Sequence, residues 1–251
     1  SPPNLLDRGF AGITLGVSIG QAVGVPVAGL IAAAGGDDPT AVNTTPALLV
    51  MTVVSAIALP FVVGLREPAE TGTRREHDAP QSVLSMLRTP GMKPAMLSSL
   101  VVLASVDLVV AYLPLLGAEF GFGVLLVSLL LTARTVASIV SRALLPWALH
   151  RIPRRTLLVS ATAATVLPVA AIPFVPNPWV IGALLAVCGM FWGVGQPLTM
   201  TWVVQLVAPS DRASALAVRL TGNRLGQVAV PLAAGAVAGV AGVASVFLVT
   251  A

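Results

Sequence analysis

The stretch DRGFAGITLGVSIGQAVGVPVAGLIAAAGG, residues 7–36, returns near the other end of the chain as DRASALAVRLTGNRLGQVAVPLAAGAVAGVAG, residues 211–242. Each copy begins with Asp-Arg, carries a Gly-Gln pair about four turns later, and continues through a proline into small residues that end in glycine. A helix needs about 20 apolar residues to cross a bilayer, and each copy is long enough. The recurrence therefore indicates two structural repeats within one protein.

The composition excludes a soluble domain. Apolar residues make up 56% of the chain, charged residues 10%, and the mean hydropathy is +0.93. A soluble domain carries roughly 25% charged residues, because water must solvate its surface. Residues 156–210 contain no Asp, Glu, Lys, Arg or His, which leaves room for two bilayer-spanning helices. We therefore predict an all-α polytopic membrane protein.

The apolar segments predict seven spans and a shorter apolar stub. The spans are residues 9–34, 46–65, 94–117, 121–149, 156–175, 178–207 and 212–241, and the stub is 243–251. The stub stops in mid-span, and the chain begins without a Met or a signal peptide. We therefore expect a fragment of a longer protein.

The connecting segments predict the orientation of the spans. Arginines lie before the first span, in the long segment 66–93, at 151–155 and at Arg212, whereas the opposite segments hold Asp37, Asp38 and Glu119 without Lys or Arg. Positive charge collects on the cytoplasmic side of membrane proteins, so the basic segments are predicted to be cytoplasmic. Segment 66–93 is typical of a linker, and QSVLSMLR, residues 81–88, predicts a short amphipathic helix.

The repeat and its flanking motifs point to a known family. Both copies follow a cytoplasmic Asp-Arg, so they are predicted to run parallel, an arrangement found in transporters. The stretch GVSIGQAVGVPVAG, residues 16–29, resembles the glycine–proline motif on the fifth helix of the major facilitator superfamily, which is associated with antiporters. Val25 separates the Gly-Pro pair of that motif. The positions that fit it are Gly20, Gly24, Pro26 and Gly29.

A second stretch, PWALHRIPRRTLL at residues 146–158, resembles the family's basic loop between helices 8 and 9. His150 stands where an acid is common, and Pro153 stands where a glycine is. The resemblance implies that the glycine–proline motif and this loop have structural or gating roles. The residues implied in the loop are His150, Arg151, Arg154 and Arg155. Arg142 lies close to the cytoplasmic end of its span, where its side chain can reach the interface or join the basic loop, and we assign it a structural or gating role as well.

The resemblance also implies how the chain is divided. Residues 1–65 would be helices 5 and 6 of the N-terminal half, residues 66–93 the cytoplasmic linker, and residues 94–251 helices 7–11 with the start of helix 12. Helices 1–4 of the same protein would be missing, and the fragment would need them as a partner. The two copies would then occupy equivalent positions in the two halves.

Three charged residues are predicted to meet near the middle of the membrane. Counted at 1.5 Å per residue, Asp107 and Arg134 each lie about 20 Å from one end of their spans, and Arg224 lies about 18 Å from one end. Charge at this depth is costly and usually faces a cavity or a partner. Asp107 can therefore carry a coupling proton with Arg134 as its counter-ion, or the two can form a static structural pair.

Polar residues form stripes on four otherwise apolar spans. They are Thr14, Ser18 and Gln21; Arg134, Ser138 and Ser141; Trp192, Gln196 and Thr199; and Arg219, Asn223 and Gln227 beside Arg224. Such stripes suit a shared wet cavity, and interhelical hydrogen bonding is the alternative. We favour packing for the Ser and Thr residues. The substrate pathway is predicted to include Arg134, Arg219, Arg224, Asn223, Gln227, Trp192, Gln196, Tyr112 and Gln21.

The patterns favour a secondary transporter, most simply a proton-coupled exporter of a small solute. Uptake of an organic anion is the alternative, since arginines outnumber acids at membrane depth, and a scaffold or receptor with a transporter-like fold is a third. The expected partners are the lipid bilayer, a small-molecule substrate and a proton or other coupling ion. We expect no nucleic acid, cofactor, metal site or enzymatic activity. The Arg-rich, Ala-rich composition suggests a bacterial cell membrane.

Overall fold

A computed structural model describes residues 3–33, 44–63 and 83–250. These residues form a bundle of helices. The helices are α1 (Pro3–Ala33), α2 (Thr44–Val63), α3 (Val83–Arg88), α4 (Met92–Glu119), α5 (Val124–Arg151), α6 (Arg154–Ala171), α7 (Pro178–Gln205), α8 (Arg212–Ala241) and α9 (Val243–Thr250). Single 3₁₀ turns at Ile172–Phe174 and Pro209–Asp211 follow α6 and precede α8.

Six of the described helices are long and apolar enough to cross a membrane: α1, α4, α5, α6, α7 and α8. The prediction gave a seventh span at 46–65. The 20-residue helix α2 lies there, and its sequence between Thr44 and Val63 contains no charged residue. The stub forms the eight-residue helix α9. Within segment 66–93, only residues 83–93 fall in the described ranges.

The short amphipathic helix predicted at residues 81–88 is present as α3. Met86 on this helix is 1% exposed, whereas its neighbours Val83 and Leu84 are more than half exposed. Met86 packs with Met92 and Ala95 at the start of α4. The one buried side chain of α3 therefore fixes it against the ends of α4 and α8.

Local chemistry sets where the helices begin. Gly121 adopts a φ of +73° between α4 and α5, a conformation that glycine tolerates without steric cost. This turn moves the start of α5 to Val124, three residues beyond the predicted start at 121. At the start of α7 the side chain of Asn177 accepts hydrogen bonds from the backbone N–H groups of Trp179 and Val180, at 3.0 and 3.4 Å.

The contacts of α4 show which way α8 runs. Ser99 on α4 pairs with Asn223 on α8, and further along both helices Asp107 pairs with Gln227. Residue numbers rise together along the two helices, so α4 and α8 are parallel. The turn at residues 120–123 folds α5 back against α4, and α5 therefore runs in the opposite direction.

The contacts of α1 complete the comparison between the two repeats. Ser18 on α1 lies against Arg142 on α5, and Gly29 lies against Ser128. Residue numbers rise along α1 as they fall along α5, so these helices are antiparallel. The first repeat, on α1, therefore runs in the same direction as the second, on α8, as the sequence predicts.

The core of the bundle is apolar and centres on α4, α5 and α7. Its fully buried side chains include Leu113, Ile181 and Leu185, and Phe247 joins them from α9. Large apolar side chains also cover the outer faces; Leu167 is 80% exposed and Leu232 is 70% exposed. Apolar outer faces suit a bundle whose surroundings are hydrocarbon rather than water.

Candidate functional site: an intramembrane polar network

Asp107 occupies the middle of α4 and is the start of a hydrogen-bonded relay to α8. Its Oδ2 accepts a hydrogen bond of 2.8 Å from Nε2 of Gln227. The Oε1 of Gln227 accepts one of 2.8 Å from Nη1 of Arg224. One amide therefore connects a carboxylate on one helix with a guanidinium on another. Within the apolar membrane-spanning parts of the described helices, which in α1 are Leu15–Ala32, Asp107 is the only acidic residue more than one turn from an end.

Arg134 on α5 lies within electrostatic range of Asp107 but makes no direct ion pair with it. Its side chain is 7% exposed, and its Nη2 donates a 3.3 Å hydrogen bond to Oγ1 of Thr135. Its Nε is buried and has no hydrogen-bond partner among the described residues. The predicted counter-ion is thus near Asp107, while Gln227 makes the direct contact.

A second buried polar cluster joins α7 to α8. Arg219 is 4% exposed, and its Nη2 donates hydrogen bonds of 2.8 Å to Oε1 of Gln196 and to Oγ1 of Thr199. The Nε of Arg219 and the Nε2 of Gln196 are buried without partners among the described residues. The structure therefore unites two of the predicted stripes, one from each helix.

Asn223 makes a neutral contact between helices. Its Nδ2 donates to Oγ of Ser99 at 3.0 Å, and the hydroxyl of Ser99 lies 3.2 Å from its Oδ1. Both side chains are buried. Ser99 was not predicted as a site residue, although it lies about two turns before Asp107 on the same apolar helix, a spacing that would have drawn attention to it.

The predicted aromatic residues of the pathway lie in apolar surroundings. Trp192 is 4% exposed and belongs to the core with Cys188 and Leu131. Tyr112 is partly buried and packs against Leu108 and other apolar side chains of α8 and α9. Among the described residues, neither side chain makes a hydrogen bond to the polar network.

The serines of the α5 stripe lie at a close helix crossing. A Cβ added to Gly193 on α7 would overlap Oγ of Ser141 and would lie 2.7 Å from the carbonyl oxygen of Ser138. A Cβ at Gly189 would overlap the carbonyl oxygen of Arg134. Small residues four apart allow membrane helices to approach in this way. The two serines therefore lie at a contact between helices, and a packing role for them stays a prediction.

Arg142 ties α1 to the second half of the chain. Its Nε donates a 3.0 Å hydrogen bond to the carbonyl oxygen of Gly193, and its Nη1 contacts Oγ of Ser18. Gln21, three residues further along α1, is exposed. Nothing is described for the side chain of Thr14.

Only part of the glycine–proline motif of α1 contacts other helices among the described residues. Gly29 makes close contact with Ser128 on α5, and Gly24 faces Met51 on α2 at 4.0 Å. The space beside Gly20 is open among the described residues, and Pro26 lies inside the helix. The motif therefore contacts both neighbouring helices.

The basic segment between α5 and α6 is at the surface. His150 and Arg151 end α5, and the guanidinium of Arg151 lies 4.5 Å from the centre of the Trp147 ring. Arg154 begins α6 and is half-buried, and Arg155 beside it is exposed. Positive side chains at the end of α5 also complement its helix dipole.

Within the described ranges, no group of three or more His, Cys, Asp or Glu side chains is arranged to hold a metal ion. The polar network instead consists of one carboxylate, buried guanidiniums and amides. Such a set can bind polar solutes, and a carboxylate can take up and release a proton.

The family model described as Major Facilitator Superfamily matches residues 1–201 and residues 95–251, and the two matches together cover the chain. A comparison with curated proteins gives no match.

Proposed function

The chain belongs to the major facilitator superfamily of secondary transporters, and we propose from this premise that the protein exports a small solute by proton-coupled antiport. The protein is a multi-pass membrane protein, and its function depends on binding and conformational change rather than on covalent chemistry. The observation that carries the proposal is the relay from Asp107 through Gln227 to Arg224.

Asp107 is suited to carry the coupling proton. It is half-buried in the middle of a span, and its Oδ2 accepts a hydrogen bond from the amide of Gln227. Protonation removes the negative charge that attracts the Gln227 amide, which weakens the bridge to Arg224. Protonation of Asp107 would in this way alter the contact between α4 and α8.

The direction of transport rests on a separate feature. The glycine–proline motif of α1 is associated with antiporters in this family, and it packs here against α5 of the other half. Gly29 and Arg142 take part in this contact at two different heights along α5. Movement between the halves during alternating access would pass through it, which supports exchange of solute for protons.

Proton flux in proteoliposomes tests the proposal. The full-length protein is reconstituted with a trapped pH dye and offered a lipophilic cation, a sugar and a dicarboxylate in turn. We expect one solute class to drive proton movement and Asp107→Asn to abolish it, because an amide cannot exchange a proton. Asp107→Glu should retain at least part of the flux.

Glu119→Gln provides the matched control, since Glu119 is an exposed carboxylate at the end of α4. It should leave proton flux unchanged. Solute-linked proton flux that persists in Asp107→Asn would overturn the coupling role of this residue.

Uptake of an organic anion is a second candidate. Arg134 and Arg219 are both more than nine-tenths buried, and neither makes a direct ion pair with a carboxylate among the described residues. An excess of buried positive charge favours an anionic solute. In the same assay, proton movement driven only by the dicarboxylate, in the same direction as the solute, would favour this candidate over export.

A further inference from the structure

Arg219 carries a buried charge that the described residues do not neutralise. Within the described ranges, its hydrogen bonds go only to the neutral oxygens of Gln196 and Thr199. Its side chain is 4% exposed, and Thr199 is fully buried. A buried cation without an opposite charge is strongly unfavourable, so a compensating anion is needed for this arrangement to be stable.

Two unused donors accompany this charge. The Nε of Arg219 and the Nε2 of Gln196 are buried without hydrogen-bond partners in the part of the chain that the structure describes. A buried donor without a hydrogen-bond partner is unfavourable, because it has lost its hydrogen bonds to water. The two side chains are joined directly by their 2.8 Å hydrogen bond, so both donors belong to one cluster.

We infer that Arg219 and Gln196 form a binding site for a single carboxylate group. The single guanidinium charge matches a monoanion, and the two unused N–H donors match the two oxygens of a carboxylate. Hydrogen bonds between ionised partners are the strong ones, and arginine is the cation best suited to planar carboxylates. A phosphate dianion would bring a second negative charge that this cluster does not balance.

The carboxylate has two possible sources. It belongs either to a solute in the transport pathway or to an Asp or Glu side chain of this protein outside the described residues. In its solute form the inference deepens the proposed function and rests on it. The site itself is tested at equilibrium, without transport, so its failure is distinguishable from failure of proton coupling.

Thermal stability of the full-length protein in detergent provides the test. Sodium benzoate serves as the carboxylate probe, benzamide as its neutral isostere and inorganic phosphate as the other anion. For a solute site we expect benzoate alone to raise the Tm in a saturable way. Arg219→Met should shift the half-maximal benzoate concentration upward by roughly tenfold or more, because a charge-assisted contact is lost.

Arg88→Met is the matched control, since Arg88 is an exposed arginine at the end of α3. It should leave the benzoate response unchanged. If Arg219→Met gives no folded protein, Arg219→Lys replaces it in the titration, because lysine keeps the charge but lacks the planar fork.

A carboxylate from the protein itself gives a different result. Benzoate then leaves the wild-type Tm unchanged, and Arg219→Met lowers the Tm or the yield of folded protein. Changing each intramembrane Asp or Glu of the full chain to its amide in the Arg219→Met background should restore stability at one position. The inference is overturned if benzoate has no effect and no such position exists, or if Arg219→Met leaves an observed benzoate shift unaltered.

Discussion

At the scale of single residues, Gln227 links the acidic and the basic side chain of the network. Its amide donates to the carboxylate of Asp107 and accepts from the guanidinium of Arg224, both at 2.8 Å. An amide can serve both partners because it carries a donor and an acceptor group. It therefore holds opposite charges in one relay without adding a charge of its own.

Replacing Gln227 by leucine should uncouple this relay. Asp107 would lose its only hydrogen bond among the described residues, and a polar group left unpaired in a buried site costs roughly 1–3 kcal/mol. We expect proton-coupled transport to fall by about tenfold or more in proteoliposomes, at an unchanged amount of folded protein.

Gln205→Leu is the control for this change, because Gln205 is an exposed glutamine at the end of α7. It should leave transport near the wild-type rate. Equal rates in Gln227→Leu and in the wild type would show that the bridge to Arg224 has no part in coupling.

At the scale of helices, the contact between α5 and α7 depends on glycine. Gly189 and Gly193 are one turn apart on α7, and a Cβ at either would overlap backbone or side-chain atoms of α5. Arg134 and Ser141 lie on the facing surface of α5. The close approach therefore also fixes the position of the α5 backbone that carries Arg134.

Gly193→Ala should destabilise the protein. The new methyl group would overlap Oγ of Ser141 and lie 2.7 Å from the carbonyl oxygen of Ser138, which cannot rotate away. Overpacking of this kind costs about 1–3 kcal/mol. We expect a lower Tm for the purified protein, measured by thermal unfolding in detergent.

Gly182→Ala on the same helix is the matched control. Its added Cβ would lie 3.4 Å from Cδ2 of Leu130, an ordinary van der Waals contact, and alanine is a better helix former than glycine. Its Tm should be unchanged or higher. A Tm for Gly193→Ala that matches that of Gly182→Ala would contradict the close crossing.

At the scale of the whole molecule, the helix directions fit the distribution of charge. Because α4 and α8 are parallel and α5 is antiparallel to them, the beginnings of α4 and α8 lie at the same end of the bundle as the end of α5. The basic residues at 151–155 and Arg212 therefore share one end. The positive-inside rule predicts that this end is cytoplasmic.

Cysteine labelling of intact cells tests that orientation. In a Cys188→Ser background, Ser210→Cys lies at the basic end before α8, and Pro176→Cys lies at the opposite end before α7; both positions are exposed. A membrane-impermeant maleimide should label position 176 in intact cells and position 210 only after permeabilisation. The reverse pattern would show that the bundle is inserted with its basic end outside.

The sequence by itself determined the class, the helices and the repeat of this protein. The absence of charge over residues 156–210 and the spacing of apolar segments are local properties, and hydrocarbon leaves a chain few alternatives to helix. The repeat around Gln21 and Gln227 also predicted that its two copies run parallel, because each copy follows a segment that is predicted to lie on the cytoplasmic side of the membrane. The observed start of α5 lies three residues beyond the predicted start, because Gly121 forms the turn before this helix.

Only the tertiary structure decided which polar residues meet. Counting along the spans placed Asp107, Arg134 and Arg224 at similar depths, but depth does not fix the rotation of one helix against another. Packing brings Gln227 to Asp107 and joins Arg219 to Gln196, residues that lie in different stripes of the sequence. Helix rotation and crossing depend on side-chain contacts across the whole bundle, and no local spacing contains that information.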